Sequence, residues 1–198
     1  HDFHNHLASL PGIFYKQNKN FPKNYNFIKE DKDIHLKWKE ILGKYKGLKV
    51  GINSTASSST TGDRIIPLEK FKDLTKFKNV NFFIIQKDFK KNNIQMINQN
   101  LNVNYFESLD KFGKPFQDTI GLVKNLDLII TADTSLGHLS ATLEKPTWIA
   151  LSLINDWRWF KDEKKSVWYD TVKLFRQKEI GNWTKVFELM SKDLEKKL

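Results

Sequence analysis

Pro146 and the residues on either side of it leave this chain few folds to choose from. Before it, Leu126, Leu128, Ile129 and Ile130 belong to a short, nearly continuous apolar run, the pattern of a parallel strand covered on both faces. Asp133, Thr134 and Ser135 then offer three successive candidates for a helix N-cap. Leu136, Leu139, Ser140 and Leu143 recur at helical spacing, and Pro146 bars that helix from continuing. A second buried strand follows over 147–151. The polar turn of this strand–helix–strand unit lies at the carboxyl end of a strand and the amino end of a helix. Unpaired N–H groups and the helix dipole attract phosphate at such a turn, and open α/β sheets bind ligands along that edge.

The flanking sequence extends the alternation. Ile34, Trp38, Ile41, Leu42 and Tyr45 predict an amphipathic helix over 34–45, stopped by Gly47. A short strand over 48–53 leads into a Ser/Thr-rich loop, 54–62, that ends at Asp63-Arg64. Such a loop can wrap phosphate or lie as an ordinary surface loop; it lacks the glycine-lysine pattern of a P-loop. Pro67 predicts the start of a helix with Leu68, Phe71, Leu74 and Thr75 turned inward. Strands are expected over 80–86 and 103–106, a short helix over 92–100, and a further helix with Asp118 as N-cap and Ile120, Val123 and Leu126 inward. A strand over 172–175 and an amphipathic helix over 183–194 close the chain. The fold class that follows is α/β: a Rossmann-like parallel sheet of about six strands with helices on both faces, joined by right-handed crossovers. Gln86-Lys87, Asp118-Thr119 and Asp133-Thr134-Ser135 then share one carboxyl edge with the serine-rich loop.

Residues 1–33 are read as a linking segment left from a preceding domain, and 34–198 as the domain proper; Leu10-Pro11-Gly12 is a turn signal, and the start at His1 suits a fragment. His1, His4 and His6 have no carboxylate at a helical offset, so a docked terminal segment is preferred to a metal site and no metal is expected. The chain has no cysteine, which excludes disulfides and thiolate metal sites. It has no apolar run of the roughly 20 residues that span a bilayer, so a cytoplasmic protein is expected, with peripheral membrane contact left open. The net charge of +10 suits an anionic partner. Lysine is spread throughout, however, and with no recognised motif nucleic acid is not expected to be that partner. Against this background Arg64, Arg158 and Arg176 stand out as the three arginines among 33 basic residues. A planar, bidentate donor is what lysine cannot replace. All three are site candidates, with a structural ion pair the alternative for Arg176.

Five of the six tryptophans fall between Trp148 and Trp183. A buried aromatic cluster accounts for most of them. Asp156-Trp157-Arg158-Trp159 directly follows a strand's carboxyl end, where an arginine between aromatic faces could hold phosphate or sugar hydroxyls. There is no Gly-x-Gly-x-x-Gly and no Ser/His/Asp order that suggests a triad.

Asp133-Thr134-Ser135-Leu136-Gly137-His138-Leu139-Ser140-Ala141 with Lys145-Pro146, preceded by Asp127-Leu128-Ile129-Ile130, resembles the donor-site segment of the heptosyltransferase-like glycosyltransferases. Asp156-Trp157-Arg158-Trp159, Trp168-Tyr169, Leu174-Phe175-Arg176-Gln177 and Gly181-Asn182-Trp183 are similar to bacterial proteins in which this half follows tetratricopeptide repeats. Ser9-Leu10-Pro11, Val50-Gly51 and Arg64-Ile65-Ile66-Pro67-Leu68 match further stations. The resemblance implies a GT-B architecture, of which this chain would be the carboxyl-terminal, nucleotide-sugar half. The pyrophosphate would rest at Thr134, Ser135 and the following amides, with Asp133 among the nucleotide-sugar-binding residues, His138 facing the ligand, Arg64 and Arg158 neutralising charge, and Gln86, Lys87, Asp118 and Thr119 bordering base and ribose. It implies a nucleotide diphosphate sugar as donor substrate, no cofactor, no metal, and an unknown glycan, lipid or protein acceptor. Asn53-Ser54-Thr55 stand where that family usually places an aromatic and a glycine. That departure keeps open a non-catalytic Rossmann-like module next to repeats. A sugar-nucleotide epimerase is disfavoured, because its acid-base carboxylates find no place here.

Overall fold

A computed structural model describes residues 4–18, 27–55, 64–86, 101–110, 115–161 and 164–198. Its six strands are β1 (Leu48–Asn53), β2 (Val80–Ile84), β3 (Val103–Tyr105), β4 (Leu128–Ala132), β5 (Thr147–Leu151) and β6 (Val172–Arg176). They form one sheet in the order β3-β2-β1-β4-β5-β6, and every neighbouring pair is parallel. Chain order runs outward in opposite directions from the β1–β4 pair. That pair is the topological switch point, where an open parallel sheet leaves a crevice above its carboxyl ends.

The helices are α1 (Leu10–Asn18), α2 (Lys32–Gly43), α3 (Lys72–Thr75), α4 (Gln117–Lys124), α5 (Ser135–Thr142) and α6 (Thr184–Glu195). Strand side chains alternate between two cores. Val50, Ile52, Phe82, Ile84, Leu128, Ile130 and Trp148 pack with Phe71 and Leu74 on one face, under Phe187 and Met190 of α6. Phe83, Ile85 and Ile129 pack with Trp38 and Leu42 of α2 and with Leu122 and Val123 of α4 on the other. The α/β class, the parallel sheet of six strands and the helices on both faces agree with the sequence reading.

Local outcomes differ from the sequence pattern where a tertiary partner outbids it. Leu10-Pro11-Gly12 opens α1 instead of making a turn, since proline in a helix's first turn sacrifices no hydrogen bond. Pro67 sits one position outside a 3-10 turn, Leu68–Phe71, that runs into the single turn of α3; Leu68, Phe71, Leu74 and Thr75 are all buried, as their spacing requires. Asp118 is not the N-cap of α4. Phe116 occupies that position in a left-handed conformation, φ 65°, and the Thr119 amide is capped from outside the helix by Asp110, at 3.2 Å. The Asp118 carboxylate is buried against α2 instead, accepting from Trp38 Nε1 at 3.0 Å and Lys37 Nζ at 3.1 Å. The helix expected over 92–100 lies outside the described residues.

Gly121 lets α2 and α4 meet. A Cβ there would stand 2.8 Å from Ile34 Cγ2, 2.9 Å from Trp38 Cδ1 and 3.1 Å from the Ile34 carbonyl, and backbone cannot give way. Gly121→Val should therefore cost about 1–3 kcal/mol of overpacking and lower the melting temperature by several degrees. Gly43→Ala, with nothing within 4 Å of its new methyl, should leave the melting temperature unchanged or slightly raised. Equal melting temperatures for the two variants in a calorimetric scan would refute the close-packing account.

Candidate functional site

Above the β1–β4 pair opens a cleft of about 770 Å³. Arg64, Gln86, Thr119, Asp133, Thr134, Ser135, His138 and Arg158 line it, which brings together eight of the residues singled out by sequence. Asp118 faces α2 and is not among the lining residues, and Lys87 lies outside the described residues. Residues 56–63 of the serine-rich loop lie outside them too. The chain nevertheless comes back to the site after that loop, because the Ile66 amide donates to the Ser54 carbonyl at 2.9 Å. That bond delivers Arg64 to the cleft.

The floor is the amino end of α5. Thr134 holds the N-cap position with extended backbone, φ −137° and ψ 170°, but its hydroxyl makes no capping bond. It pairs instead with the Thr131 hydroxyl at 3.0 Å. The Gly137 amide is taken by the Thr134 carbonyl at 3.0 Å, so the amides of Ser135 and Leu136 are the ones that face an occupant of the cleft, at the positive end of the helix dipole.

Two arginines and two aspartates surround this terminus. Asp133 is buried and accepts from Trp159 Nε1 at 2.8 Å, while its other oxygen lies 3.8 Å from Arg64. Asp156 accepts from the Arg158 amide at 3.0 Å and from its guanidinium at 3.1 Å, and lies 3.8 Å from Arg64 as well. Arg158 rests over the Trp157 ring at 5.8 Å. A buried carboxylate needs such partners, and here they also hold the guanidinium groups at the rim. Arg176 takes the structural alternative: it donates to Asn155 Oδ1 at 2.8 Å and to the Trp159 carbonyl, bracing the loop after β5.

His138, one turn into α5, stacks on Trp159 at 4.9 Å and 20°, with its Nδ1 3.1 Å from the Tyr169 hydroxyl. Burial, followed by the charge of Arg158, holds the imidazole below its ordinary value of 6.5 against the opposing pull of Asp133 and Asp156. Burial likewise pushes the Tyr169 phenol up. Among the described residues no cluster of three His, Cys, Asp or Glu is placed to hold a metal ion, and no helix is long and apolar enough to cross a membrane.

The sequence reading passed over several participants. Asp110 receives both the amide and the hydroxyl of Thr119, a pairing that no spacing rule announces. Phe116 lines the cleft half exposed because of its left-handed backbone. Asn53, noted only as a departure, accepts from the Thr55 amide at 3.0 Å and turns the chain at the end of β1.

No protein-family model matches the chain, and no curated protein matches it in sequence. Solved structures do match it in fold. One is the glycosyl transferase family 9 structure from Veillonella parvula DSM 2008, with TM-score 0.63 and 13% identity over 93% of this chain and 56% of that one. Another is the E. coli heptosyltransferase WaaC with ADP-2-deoxy-2-fluoro heptose, with TM-score 0.56 and 14% identity over 100% and 58%. A third is the E. coli ADP-heptose lps heptosyltransferase II, with TM-score 0.58 and 12% identity over 86% and 54%. This is a glycosyltransferase-like fold. The chain spans little more than half the length of the structures it resembles.

The His138 environment gives a pH signature of stability. Its folded-state affinity for protons is depressed, so the unfolded chain binds more protons around and below pH 6.5, and stability falls as pH drops through that region. His138→Gln should flatten that part of the curve in urea melts taken between pH 5 and about 7. An unchanged slope would place the acid sensitivity elsewhere.

Proposed function

We propose that this chain is the carboxyl-terminal, donor-binding half of a GT-B glycosyltransferase and binds a nucleotide diphosphate sugar in the cleft. The observation that carries this reading is the amino end of α5, uncapped by Thr134 and flanked by Arg64 and Arg158 at the switch point of the sheet. Diphosphate oxygens accept from the first α5 amides, and Arg64 with Arg158 takes up the charge that grows on the leaving diphosphate without a metal ion. His138 donates from the same helix. Gln86 and Lys87 border base and ribose, and Asp133 serves by orienting Arg64 rather than by touching the anion. Asp118 and Thr119 shape the wall, the first through α2 and the second through Asp110. The general base for the acceptor hydroxyl belongs to the other half, which residues 1–33 link to this one. Tetratricopeptide repeats ahead of that half and a cytoplasmic setting complete the proposal.

A second reading, a non-catalytic module, draws on the charge balance of the cleft. Arg64 and Arg158 are already matched by Asp133 and Asp156, so an incoming anion must compete with two carboxylates.

Titration calorimetry with ADP, UDP, GDP and CMP, each with and without magnesium, separates the two. ADP goes first because one structural neighbour was solved with an ADP-sugar. The donor-half reading expects one diphosphate to bind indifferently to magnesium, and at 100 times its dissociation constant to stabilise the fold by about 2.7 kcal/mol. Arg64→Ala should weaken that binding about tenfold or more, as expected for loss of a hydrogen bond to a charged group, with the fold intact by circular dichroism. No binding by folded protein would favour the module. Sugar transfer by this chain alone would overturn the divided active site.

A further inference from the structure

Tyr169 reaches the cleft's histidine from outside the α5 helix, and its hydroxyl lies 3.1 Å from one ring nitrogen. His138 lies one turn into α5, and Tyr169, from the loop before β6, brings its hydroxyl against the ring. His138 Nδ1 is 3.1 Å from the phenolic oxygen, and the ring is held flat against Trp159, whose own Nε1 is fixed by Asp133. The imidazole thus has one position and one occupied nitrogen. A neutral imidazole nitrogen is a stronger acceptor than a phenolic oxygen, and a phenol is a stronger donor than an imidazole N–H. The bond therefore runs one way: the Tyr169 hydroxyl donates to His138 Nδ1.

We infer that Tyr169 is a positioning residue that fixes His138 in its Nε2–H form and turns that N–H into the cleft as a donor to the bound anion. Its use by a diphosphate rests on the function proposed above; the tautomer does not. Without the Tyr169 hydroxyl the ring can present a bare Nε2 lone pair to the cleft, which repels an anionic oxygen instead of binding it.

Long-range nitrogen–proton correlation of ¹⁵N-histidine-labelled protein reads the tautomer without any ligand, and His138→Gln identifies the signal among the five histidines. The expected result is an Nε2–H spectrum in the native chain and a shift toward mixed tautomers in Tyr169→Phe. Tyr169→Phe should also weaken diphosphate binding about five- to tenfold, as loss of one neutral hydrogen bond does, with its melting temperature within a few degrees of the native value. An Nδ1–H spectrum in the native chain, or an Nε2–H spectrum indifferent to Tyr169→Phe, overturns the inference. If the tautomer responds as expected while no nucleotide binds, the positioning of His138 stands and the donor-half function is what fails.

Discussion

The pairing of β1 with β4 sets the height of everything above the sheet. Val50 lies beside Leu128 and Asn53 beside Thr131, so β4 runs one residue past β1, and Ser54 and Asp133 leave the sheet within a residue of each other. A slip of two residues along either strand would keep the apolar faces buried but separate these ends. The Asp127 carboxylate, accepting from the Lys49 amide at 2.8 Å, pins the other end of the same pair. Through Ser54 the register reaches Ile66 and so Arg64; through Asp133 it reaches Trp159 and so the whole loop after β5.

Asp133 shows how a buried charge is used here. Its carboxylate is costly to bury, and the indole N–H and the nearby guanidinium offset that cost. In return one side chain joins three segments that are distant in sequence. Trp159, held by that bond, becomes the wall against which His138 stacks. The aromatic run after β5 is therefore less a core filler than a scaffold. Trp159 is fully buried, whereas Trp157 is half exposed and stays outside beneath Arg158.

Most of the fold was legible because its strands are buried on both faces and read as apolar runs. Leu128 to Ile130 and Trp148 to Leu151 have no other comfortable environment. The site was legible where chemistry is local: Thr134 and Ser135 at a helix start, Arg64 and Arg158 as arginines kept in a lysine-rich chain. It was illegible where a long-range bond redirected a side chain. Asp118 looks like a cap because Ile120 and Val123 follow it, yet Trp38, eighty positions earlier, claims its oxygen. Asp110 does the capping from a turn of its own, with a left-handed backbone that its residue type tolerates. Tyr169 was noted only within Trp168-Tyr169, and no spacing rule ties it to His138; a crossover sets it against α5.

The sheet order also governs how the chain can reach this state. An all-parallel arrangement contains no hairpin, so every strand pair has to wait for a crossover to close. Ile129 finds Thr147 across a single helix, which makes β4–α5–β5 the most local piece and the natural place for structure to begin. Val50 must find Leu128 from far along the chain, and the cleft does not exist until it does. The amino end of α5 thus belongs to the most local unit of the sheet, whereas Arg64 joins it only through the β1–β4 pairing. Any anion that favours the finished cleft would therefore stabilise the strand pairing that spans the most sequence.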